Sequence, residues 1–309
     1  MSATPRVSVI TPAYNAARYI GQAIESVQAQ TLTDWEMIIV DDASPDETAA
    51  VVERYLDDPR IKLLKNEQNM GAGYTRNRAL DAAQGEWIAV LDADDWYAPQ
   101  RLEKLVRFAE EWNAEMVTDF TLFVAEDGTI SDCKWSQYGT NPRKSRWYTV
   151  DEVIRAHPAF KPVVIRSFLE SKQIRYNPTI RQSQDYAFQV EILIKGGRFA
   201  LFPEGMYYYR FYASFITKTY SSKLHHFRQT IEYLSGLPET TPKQRKLLEF
   251  AYNRQRSSVE YSKFFSSISA SIKSRDWLTA CKLACANPKF CLKLARWVPS
   301  AILRHITAR

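Results

Sequence analysis

Short apolar runs alternate with amphipathic stretches along the first 110 residues of the chain. The apolar runs, which we predict to be strands, are Val7–Ile10, Glu36–Val40, Ile61–Leu64 and Trp87–Leu91. The predicted helices that follow them lie near Ile20–Gln30, Asp46–Leu56, Gly71–Ala83 and Pro99–Trp112. Strands separated by helices of this length are typical of a parallel α/β sheet with helices on both faces. Because ligands bind beyond the carboxyl ends of such strands, the residues at those ends are the candidates for function.

Polar and acidic residues follow all four predicted strands. The four loops are Thr11-Pro12-Ala13-Tyr14-Asn15, Asp41-Asp42-Ala43-Ser44-Pro45-Asp46, Asn66–Gly71 and Asp92-Ala93-Asp94-Asp95. Turn and helix-capping preferences explain any one of these loops, and Ser44 and Asp46 stay open to that interpretation. A helix cap, however, does not require two acidic residues close together, as in Asp41-Asp42 and Asp94-Asp95. The four loops together therefore predict a binding site along one edge of the sheet.

The pair Asp92 and Asp94 is the centre of this prediction. The two carboxylates lie two residues apart at the tip of the apolar run Trp87–Leu91, so they can face a common point. Mg²⁺ and Mn²⁺ prefer oxygen ligands and commonly bridge one or two carboxylates to substrate phosphates. A DxD pattern alone is frequent by chance, but its position at the end of a buried strand favours a divalent metal site.

Two further loops have features suited to a nucleotide. The Asp42 carboxylate can accept a hydrogen bond from a base imide or a ribose hydroxyl. The segment from Asn69 to Asn77 begins a helix with Gly71 and Gly73, and free backbone N–H groups at a helix start suit anions. Arg76 can pair with phosphate or carboxylate, whereas a glycine-tolerant loop is an equal explanation for Gly73.

Four motifs follow one another in the first 110 residues: VSVITPAYNAARYI, EMIIVDDASPDET, NMGAGYTRNRAL and GEWIAVLDADDWYAPQRLEKLV. In this order they resemble the inverting family 2 glycosyltransferases of the GT-A fold, especially bacterial enzymes that build succinoglycan-type exopolysaccharides. The resemblance is close over the first 110 residues and thins toward residue 220. It implies a GT-A sheet flanked by helices, a UDP-sugar donor and a divalent cofactor, Mn²⁺ or Mg²⁺.

The resemblance also assigns residues to the donor and the metal. It places Pro12, Ala13 and Asn15 in the first nucleotide-contacting loop, Asp42 at the base and Arg76 near the base and phosphates. Asp92 and Asp94 match the metal motif, with Asp94 as the direct ligand. Tyr14, Gly71 and Ala93 lie in the same loops and complete the predicted donor site.

The general base of the family matches Asp185, within the segment Arg181–Phe188. Here Gln184 replaces the usual Glu before the base, and Phe211 and Tyr212 stand where a histidine often follows an arginine, here Arg210. In the implied mechanism Asp185 takes the proton of an acceptor hydroxyl as that oxygen attacks the anomeric carbon opposite the diphosphate. The alternative for Asp185 is an N-cap of a helix Tyr186–Ile194.

Composition indicates a globular protein of the cytoplasm. Hydrophobic residues make up 45% and charged residues 25% of the chain, which excludes a disordered protein. The start MSATPRVSVITPAYN has no secretory-signal pattern, and no apolar run reaches the roughly 18 residues of a membrane span. The four cysteines have no pairing framework and are interpreted as free thiols.

We predict a catalytic domain over 1–221, made of a nucleotide-binding half (1–110) and an acceptor half (111–221), and a helical extension over 222–309. Within the acceptor half, the turn-rich segment Asp127–Arg155 is predicted to be irregular. The extension is predicted to contain a long polar helix near Pro242–Ile272. The acceptor is expected to be a glycan or lipid-linked glycan, whose identity, like that of the sugar, the sequence does not give.

The net charge of +6 belongs to the tail. From Lys273 onward there are eight Lys or Arg against one acid, which leaves residues 1–272 with a net charge of −1. After Asn287-Pro288 the sequence predicts a basic amphipathic helix kinked at Pro299. Such a helix suits peripheral contact with the inner membrane surface, or docking on the protein's own core or a dimer partner, and both stay open. Interleaved bulky apolar residues disfavour nucleic acid.

Two other classes of function share parts of the pattern. A sugar nucleotidyltransferase would carry a Gly-rich loop with Arg and Lys after the first strand, and Thr11–Ala16 contains none of these residues. A non-catalytic nucleotide-sugar-binding module would not need Asp92, Asp94 and Asp185 together. A processive polymer synthase is disfavoured because the chain has no Gln-x-x-Arg-Trp motif.

Overall fold

A computed structural model describes residues 4–132, 144–156, 160–211 and 220–274, with isolated positions between 276 and 286. It groups the chain into two units. The first comprises Met1–Lys218 with His225–Ala251, and the second comprises Thr219–Leu224 with Tyr252–Arg309. The predicted two-domain division at residue 221 stays a prediction. The predicted basic helix after Asn287 lies outside the described residues.

The first unit contains the parallel strands that the sequence predicts. They are β1 (Val7–Ala13), β2 (Trp35–Asp41), β3 (Ile61–Lys65) and β4 (Trp87–Val90), paired in the order β3-β2-β1-β4. The helices between and after them are α1 (Ile20–Gln28), α2 (Thr48–Glu53), α3 (Ala72–Ala82) and α4 (Arg101–Trp112). With the strands beyond β4, they confirm a mixed α/β sheet flanked by helices.

The sheet continues beyond β4 through shorter and partly antiparallel strands. These are β5 (Trp96–Tyr97), β6 (Met116–Val124), β7 (Ile130–Asp132), β8 (Arg146–Tyr148), β9 (Val163–Ile165) and β10 (Phe199–Arg210). The main path runs β3-β2-β1-β4-β9-β6-β10-β5, so the antiparallel β9 joins β4 to the parallel pair β6 and β10. The prediction of an irregular segment over Asp127–Arg155 was wrong for its described parts, since β7 and β8 each pair with a long neighbouring strand.

The remaining helices are α5 (Val150–Ala156), α6 (Arg166–Ser171), α7 (Gln184–Ile194), α8 (Tyr220–Gly236) and α9 (Pro242–Lys273). The long polar helix predicted near Pro242–Ile272 is thereby confirmed. Within the described ranges, no helix combines the length and apolar character needed to cross a bilayer.

The core forms where the apolar runs of the strands meet one face of each helix. All residues of β2 and β4 are buried, as expected for parallel strands covered on both faces. On α1, the buried residues Ile20, Ala23, Ile24 and Val27 follow the i, i+3, i+4, i+7 spacing of a helix stripe. Each large aliphatic side chain buried in this way contributes about 1.5–3 kcal/mol of apolar burial.

A buried polar cluster fixes the amino-terminal ends of the strands. The Glu36 carboxylate accepts hydrogen bonds from the Ser8 hydroxyl (2.6 Å), the Gln84 backbone N–H (2.6 Å) and the Lys62 ammonium (2.8 Å). The Gly85 N–H donates to the Ser8 hydroxyl at 2.7 Å. These bonds join β1, β2, β3 and the approach to β4 at one end, so that the opposite ends stay in register at the ligand edge.

Replacing Gly85 with alanine is expected to lower the free energy of unfolding by about 1–3 kcal/mol through overpacking. The added Cβ would lie 2.4 Å from the Ser8 backbone nitrogen and 2.7 Å from the Val7 carbonyl carbon, and neither atom can yield without shifting β1. Urea unfolding followed by tryptophan fluorescence measures the effect. Gly236→Ala, whose Cβ would meet no atom within 4 Å, is the control, and equal losses in the two variants would contradict the explanation.

Glu36 is expected to make stability depend on pH. Burial opposes its charge, but the hydrogen bonds from Lys62, Ser8 and Gln84 outweigh burial and lower the pKa of Glu36 below its ordinary 4.5. A carboxylate with a lowered folded-state pKa stabilises the fold above its unfolded pKa, and this contribution is lost as pH falls through the folded pKa.

Near pH 7, Glu36→Gln should therefore cost about 1–3 kcal/mol of unfolding free energy, because the amide group that replaces Oε2 cannot accept the charge-assisted hydrogen bond from the Lys62 ammonium. The difference from wild type should shrink as the pH falls below 4.5. Urea unfolding at a series of pH values measures it, with Glu53→Gln, in an exposed ion pair with Lys65, as the control. A difference that is constant down to the acid limit would rule out this account.

Candidate active site

The carboxyl ends of β1, β2 and β4 open onto one cavity of about 650 Å³. Its lining contains nine of the ten residues that the sequence predicts for the donor and the metal. The lining residues are Pro12, Ala13, Tyr14, Asn15, Ala16, Arg18, Tyr19, Asp42, Ala72, Thr75, Arg76, Asp92, Ala93, Asp94 and Glu126. Gly71 lies next to the cavity rather than on its wall. Six lining residues were not among the predicted site residues: Ala16, Arg18, Tyr19, Ala72, Thr75 and Glu126.

The first loop is held in place by the start of the second βα connection. The Asn15 backbone N–H donates to the Ser44 hydroxyl (3.1 Å), and the Ala17 N–H donates to the Asp46 carboxylate (3.0 Å). Asn15 itself adopts a left-handed backbone conformation, with φ of 53°. Ser44 and Asp46 thus support the first loop through its backbone, whereas the cap residue of α2 is Glu47.

Asp42 organises the third loop. Its carboxylate accepts hydrogen bonds from the Asn66 side-chain amide (2.6 Å) and from the backbone N–H groups of Met70 (2.9 Å) and Gly71 (2.8 Å). Gly71 has a φ of 87°, which favours glycine at this turn. An ionised carboxylate offers about four acceptor positions, so Asp42 keeps capacity for a ligand on the cavity side.

Two cations pair with the Asp92 carboxylate. Its Oδ1 accepts from the Arg76 guanidinium at 2.7 Å, and its Oδ2 accepts from the Lys161 ammonium at 2.5 Å. Burial opposes the charge of Asp92, but Lys161 and Arg76 outweigh it and lower the pKa of Asp92. Arg76 and Lys161 are themselves only 6% exposed. Asp92 is therefore a fully paired anion at the wall of the cavity.

Lys161 also connects Asp92 to the predicted base. Its ammonium donates to Asp185 Oδ2 at 2.6 Å, while Asp185 Oδ1 lies 3.4 Å from an Arg76 guanidinium nitrogen. Asp185 sits in the first turn of α7, which begins at Gln184 after the cap residue Ser183. The interpretation of Asp185 as the N-cap is therefore wrong. Asp185 and Asp92 therefore contact the same ammonium at the carboxyl edge of the sheet.

The acids that follow Asp92 have different surroundings. Asp95 is 1% exposed and accepts hydrogen bonds from the Tyr207 hydroxyl (2.7 Å) and the Arg210 backbone N–H (2.9 Å), and burial raises its pKa well above the ordinary value. Burial, together with the charge of Asp92, also raises the pKa of Asp94. Among the described residues no cation forms an ion pair with Asp94, which lines the cavity.

These residues fit a divalent cation held at Asp94. Among the described side chains, no three His, Cys, Asp or Glu residues group as a metal centre. A Mg²⁺-like site, however, commonly uses one or two carboxylates and completes its shell with phosphate and water oxygens. Asp94 has the anionic character and the cavity position that this requires, whereas both oxygens of Asp92 are occupied by Arg76 and Lys161.

A second buried pair fixes the segment that carries Lys161. Arg101 is fully buried and binds the Asp119 carboxylate at 2.8 Å, and its guanidinium also donates to the Lys161 carbonyl oxygen at 2.5 Å. Asp119 in turn accepts from the Met206 backbone N–H at 2.9 Å. The pair thus joins α4, β6, β10 and the residues before β9.

Sequence reasoning missed Lys161. Its contacts with Asp92 and Asp185 span 69 and 24 residues, and no motif surrounds it. The available signal was a single lysine inside the apolar run Ala159–Ile165, since a charge at such a position must find a partner once the strand is buried. Gln184, noted as a departure from the family pattern, accepts a hydrogen bond from Arg76 at 3.0 Å.

Comparison with known sequences identifies relatives along most of the chain. Residues 8–160 match the model of the family described as glycosyl transferase family 2. The succinoglycan biosynthesis protein ExoO of Rhizobium meliloti (strain 1021) is 30% identical over 311 residues, which cover 99% of this chain and 88% of ExoO. The succinoglycan biosynthesis protein ExoU of the same strain is 31% identical over 206 residues, which cover 63% of this chain and 59% of ExoU.

Solved structures share the fold. S. aureus TarS 1-349 in complex with UDP aligns with a TM-score of 0.64 and 21% identity, over 82% of this chain and 72% of that chain. The complex of TarS 1-349 with UDP-GlcNAc gives a TM-score of 0.65 and 21% identity, over 82% and 73%. Since the family model covers the part of the chain that builds the cavity, and ExoO matches nearly the whole length, this chain belongs to glycosyltransferase family 2 and has the GT-A fold.

Proposed function

We propose that this enzyme transfers a sugar from a UDP-sugar to a hydroxyl of a glycan or lipid-linked glycan during synthesis of a surface polysaccharide, with inversion at the anomeric carbon. The observation that carries the proposal is the shared contact of Asp92 and Asp185 with one ammonium. It puts an acid able to take a proton beside the DxD edge of a cavity of about 650 Å³. Cavities of roughly 300–1,000 Å³ are typical of small-molecule sites.

The nucleotide is expected to bind along the first two loops. Tyr14 is 52% exposed on the cavity wall, so its ring is available to stack on a base. Asp42, held rigid by the loop it organises, has acceptor capacity left for the base or ribose. Pro12, Ala13 and Asn15 form the adjoining wall. That TarS was solved with UDP and with UDP-GlcNAc supports UDP as the nucleotide.

The diphosphate is expected near Asp94. A divalent Mn²⁺ or Mg²⁺ held there would supply positive charge to the diphosphate leaving group. Asp94 contributes a carboxylate that forms no ion pair with a cation among the described residues. Arg76 contributes a guanidinium on the same wall. Arg76 is already shared between Asp92 and Asp185, so it orients these acids as well as adding positive potential.

Asp185 is the proposed general base. The acceptor oxygen forms a bond to the anomeric carbon while the bond from that carbon to the diphosphate oxygen breaks, and the leaving group departs with the bonding electrons. The hydroxyl proton passes to the Asp185 carboxylate. Attack from the face opposite the diphosphate inverts the anomeric configuration, and holding both substrates in line contributes much of the rate.

The type of product is suggested by the relatives. ExoO and ExoU are both named as succinoglycan biosynthesis proteins, and ExoO matches this chain along nearly its whole length. An exopolysaccharide or related cell-surface polymer is therefore the proposed context. Its lipid-linked intermediates would be met at the cytoplasmic face of the inner membrane, where the predicted basic tail would also find an anionic surface.

Replacing Asp185 with asparagine is expected to lower turnover by about 10²–10⁴-fold, because the amide cannot take the proton. UDP release from a panel of UDP-sugars with Mn²⁺ measures it, with water standing in for the acceptor. Binding of UDP, followed by calorimetry, should stay within about threefold, since Asp185 is not on the wall of the donor cavity.

Asp151→Asn is the matched control. Asp151 also lies in the first turn of a helix and also pairs with a lysine, Lys243, and its exposure of 24% is close to the 28% of Asp185. It lines no part of the cavity. Near-normal turnover in Asp185→Asn would remove Asp185 from the role of base. UDP binding without turnover in the wild type would instead favour the non-catalytic binding module.

Removing the divalent ion with EDTA is expected to abolish UDP release, and Mn²⁺ or Mg²⁺ should restore it. Asp94→Asn should lower turnover by about 10²-fold at a fixed Mn²⁺ concentration and raise the Mn²⁺ concentration needed for half-maximal rate, because its carboxylate is lost from the ligand set. Asp81→Asn, on an exposed face of α3, is the control. Full activity in EDTA would refute the metal requirement.

A further inference from the structure

The sequence motifs assign no role to Lys161, which lies outside the DxD motif and is not the predicted base. Its ammonium is buried at 6% exposure and donates to Asp92 Oδ2 and to Asp185 Oδ2, at 2.5 and 2.6 Å. Arg76 faces the same two acids from α3, pairing with Asp92 Oδ1 at 2.7 Å and lying 3.4 Å from Asp185 Oδ1. The two buried cations therefore balance the negative charges of the two carboxylates. Buried charges need such partners, because an unpaired charge removed from water is costly.

The oxygens of Asp185 are not equivalent. Oδ2 accepts a strong, charge-assisted bond from Lys161, whereas Oδ1 is buried and has no hydrogen-bond partner among the described residues. The contact of Oδ1 with Arg76, at 3.4 Å, is an ion pair without a hydrogen bond. A buried acceptor that lacks a donor is costly unless a ligand supplies one. Oδ1 is therefore the Asp185 oxygen whose acceptor capacity is unused in this structure.

We propose that Lys161 is a positioning residue for sugar transfer: its ammonium holds the Asp185 carboxylate in place beside the donor cavity through Oδ2, and it occupies Asp92 so that the metal is taken by Asp94. This inference rests on the proposed role of Asp185 as the base. It adds a residue outside the DxD motif. It also gives the two motif acids different roles, since Asp92 pairs with Lys161 and Asp94 holds the metal.

The main chain around Lys161 is anchored as firmly as its side chain. The Lys161 carbonyl accepts from the fully buried Arg101, and the preceding Phe160 carbonyl accepts from the Gln189 amide on α7 at 2.8 Å. Phe160 is itself 1% exposed and packs edge-to-face on Phe199. Groups held in this way lose little freedom when substrate binds, as precise positioning of a base requires.

A lysine suits this position better than an arginine. The ammonium is compact and carries three donors on a flexible stem, so two acids on different elements can share it. The planar guanidinium is wider and would have to displace one of these acids from a site where Lys161 is already buried. Lys161→Arg is therefore expected not to support normal turnover, although it keeps the positive charge.

The test is the variant Lys161→Met, which keeps the length of the side chain and removes the ammonium. Turnover, measured as release of UDP from the UDP-sugar that the wild type hydrolyses fastest, should fall by about 10²-fold, because a misplacement of about 1 Å has that effect. The Kd for UDP should stay within about threefold. Lys62→Met is the control, since it also removes an ammonium from a buried carboxylate, Glu36, away from the cavity.

Two readouts separate positioning from mere support of the fold. The nucleotide-free protein should bind Mn²⁺ about tenfold more tightly in Lys161→Met than in wild type, because Asp92 joins the ligand set. In Lys161→Ala, added ethylammonium should restore turnover by about tenfold, and it should not affect Lys62→Ala. Structural damage would instead lower UDP binding in proportion to turnover, and no amine would rescue it.

Unchanged turnover in Lys161→Met, or unchanged Mn²⁺ affinity, would overturn the inference. So would loss of UDP binding in proportion to turnover, since that is a folding defect. The failures remain distinguishable. If Asp185→Asn is active, the proposed function fails; if Asp185→Asn is inactive while Lys161→Met is active, only the role of Lys161 fails.

Discussion

The site depends on pairing two cations with two acids where water is largely excluded. Arg76 and Lys161 are nearly fully buried, and each contacts both Asp92 and Asp185. Removing one member of a buried ion pair typically costs about 3–5 kcal/mol, since it leaves an uncompensated charge. The pairing therefore fixes how closely α3, the tip of β4, the segment before β9 and the start of α7 approach one another. The cavity and Asp185, the proposed base, belong to different halves of the sequence and are brought together by this electrostatic constraint.

That constraint is transmitted through the sheet by a second buried pair. Arg101 and Asp119 are at 0% and 1% exposure, and Arg101 stacks over the Tyr97 ring at 4.3 Å while donating to the Lys161 carbonyl. The antiparallel strand β9 then carries this segment between β4 and β6. A site built on strands and helices is positioned more precisely than one built on loops. Because β9 runs antiparallel to β4, its amino-terminal end, which Lys161 precedes, lies at the carboxyl edge of β4.

Much of this architecture was readable from local sequence. The strands β1 to β4, the helices α1 to α4 and the acids at the strand tips follow from periodicity and from the placement of polar residues after apolar runs. The contacts of Lys161 could not be read in this way, because pairing across 69 residues leaves no local pattern. The hydrogen bonds by which the Asp42 carboxylate organises residues 66–71 could not be read from local sequence either. The start of α7 was placed two residues late, because Ser183 caps it through a left-handed backbone, φ 61°, and not through its side chain.

The run Asp92-Ala93-Asp94-Asp95 shows how one short motif can hold three acids with different tasks. Asp92 meets two cations, so its pKa is lowered and its oxygens are occupied. Asp95 points into the core, where the Tyr207 hydroxyl and the Arg210 N–H tie the tip of β4 to β10, and burial raises its pKa. Asp94 lies between them without a paired cation among the described residues, and its carbonyl holds the Arg210 guanidinium at 3.0 Å. Identical side chains therefore differ through the charges that distant segments place opposite them. The motif alone does not distinguish Asp92 from Asp94, the proposed metal ligand.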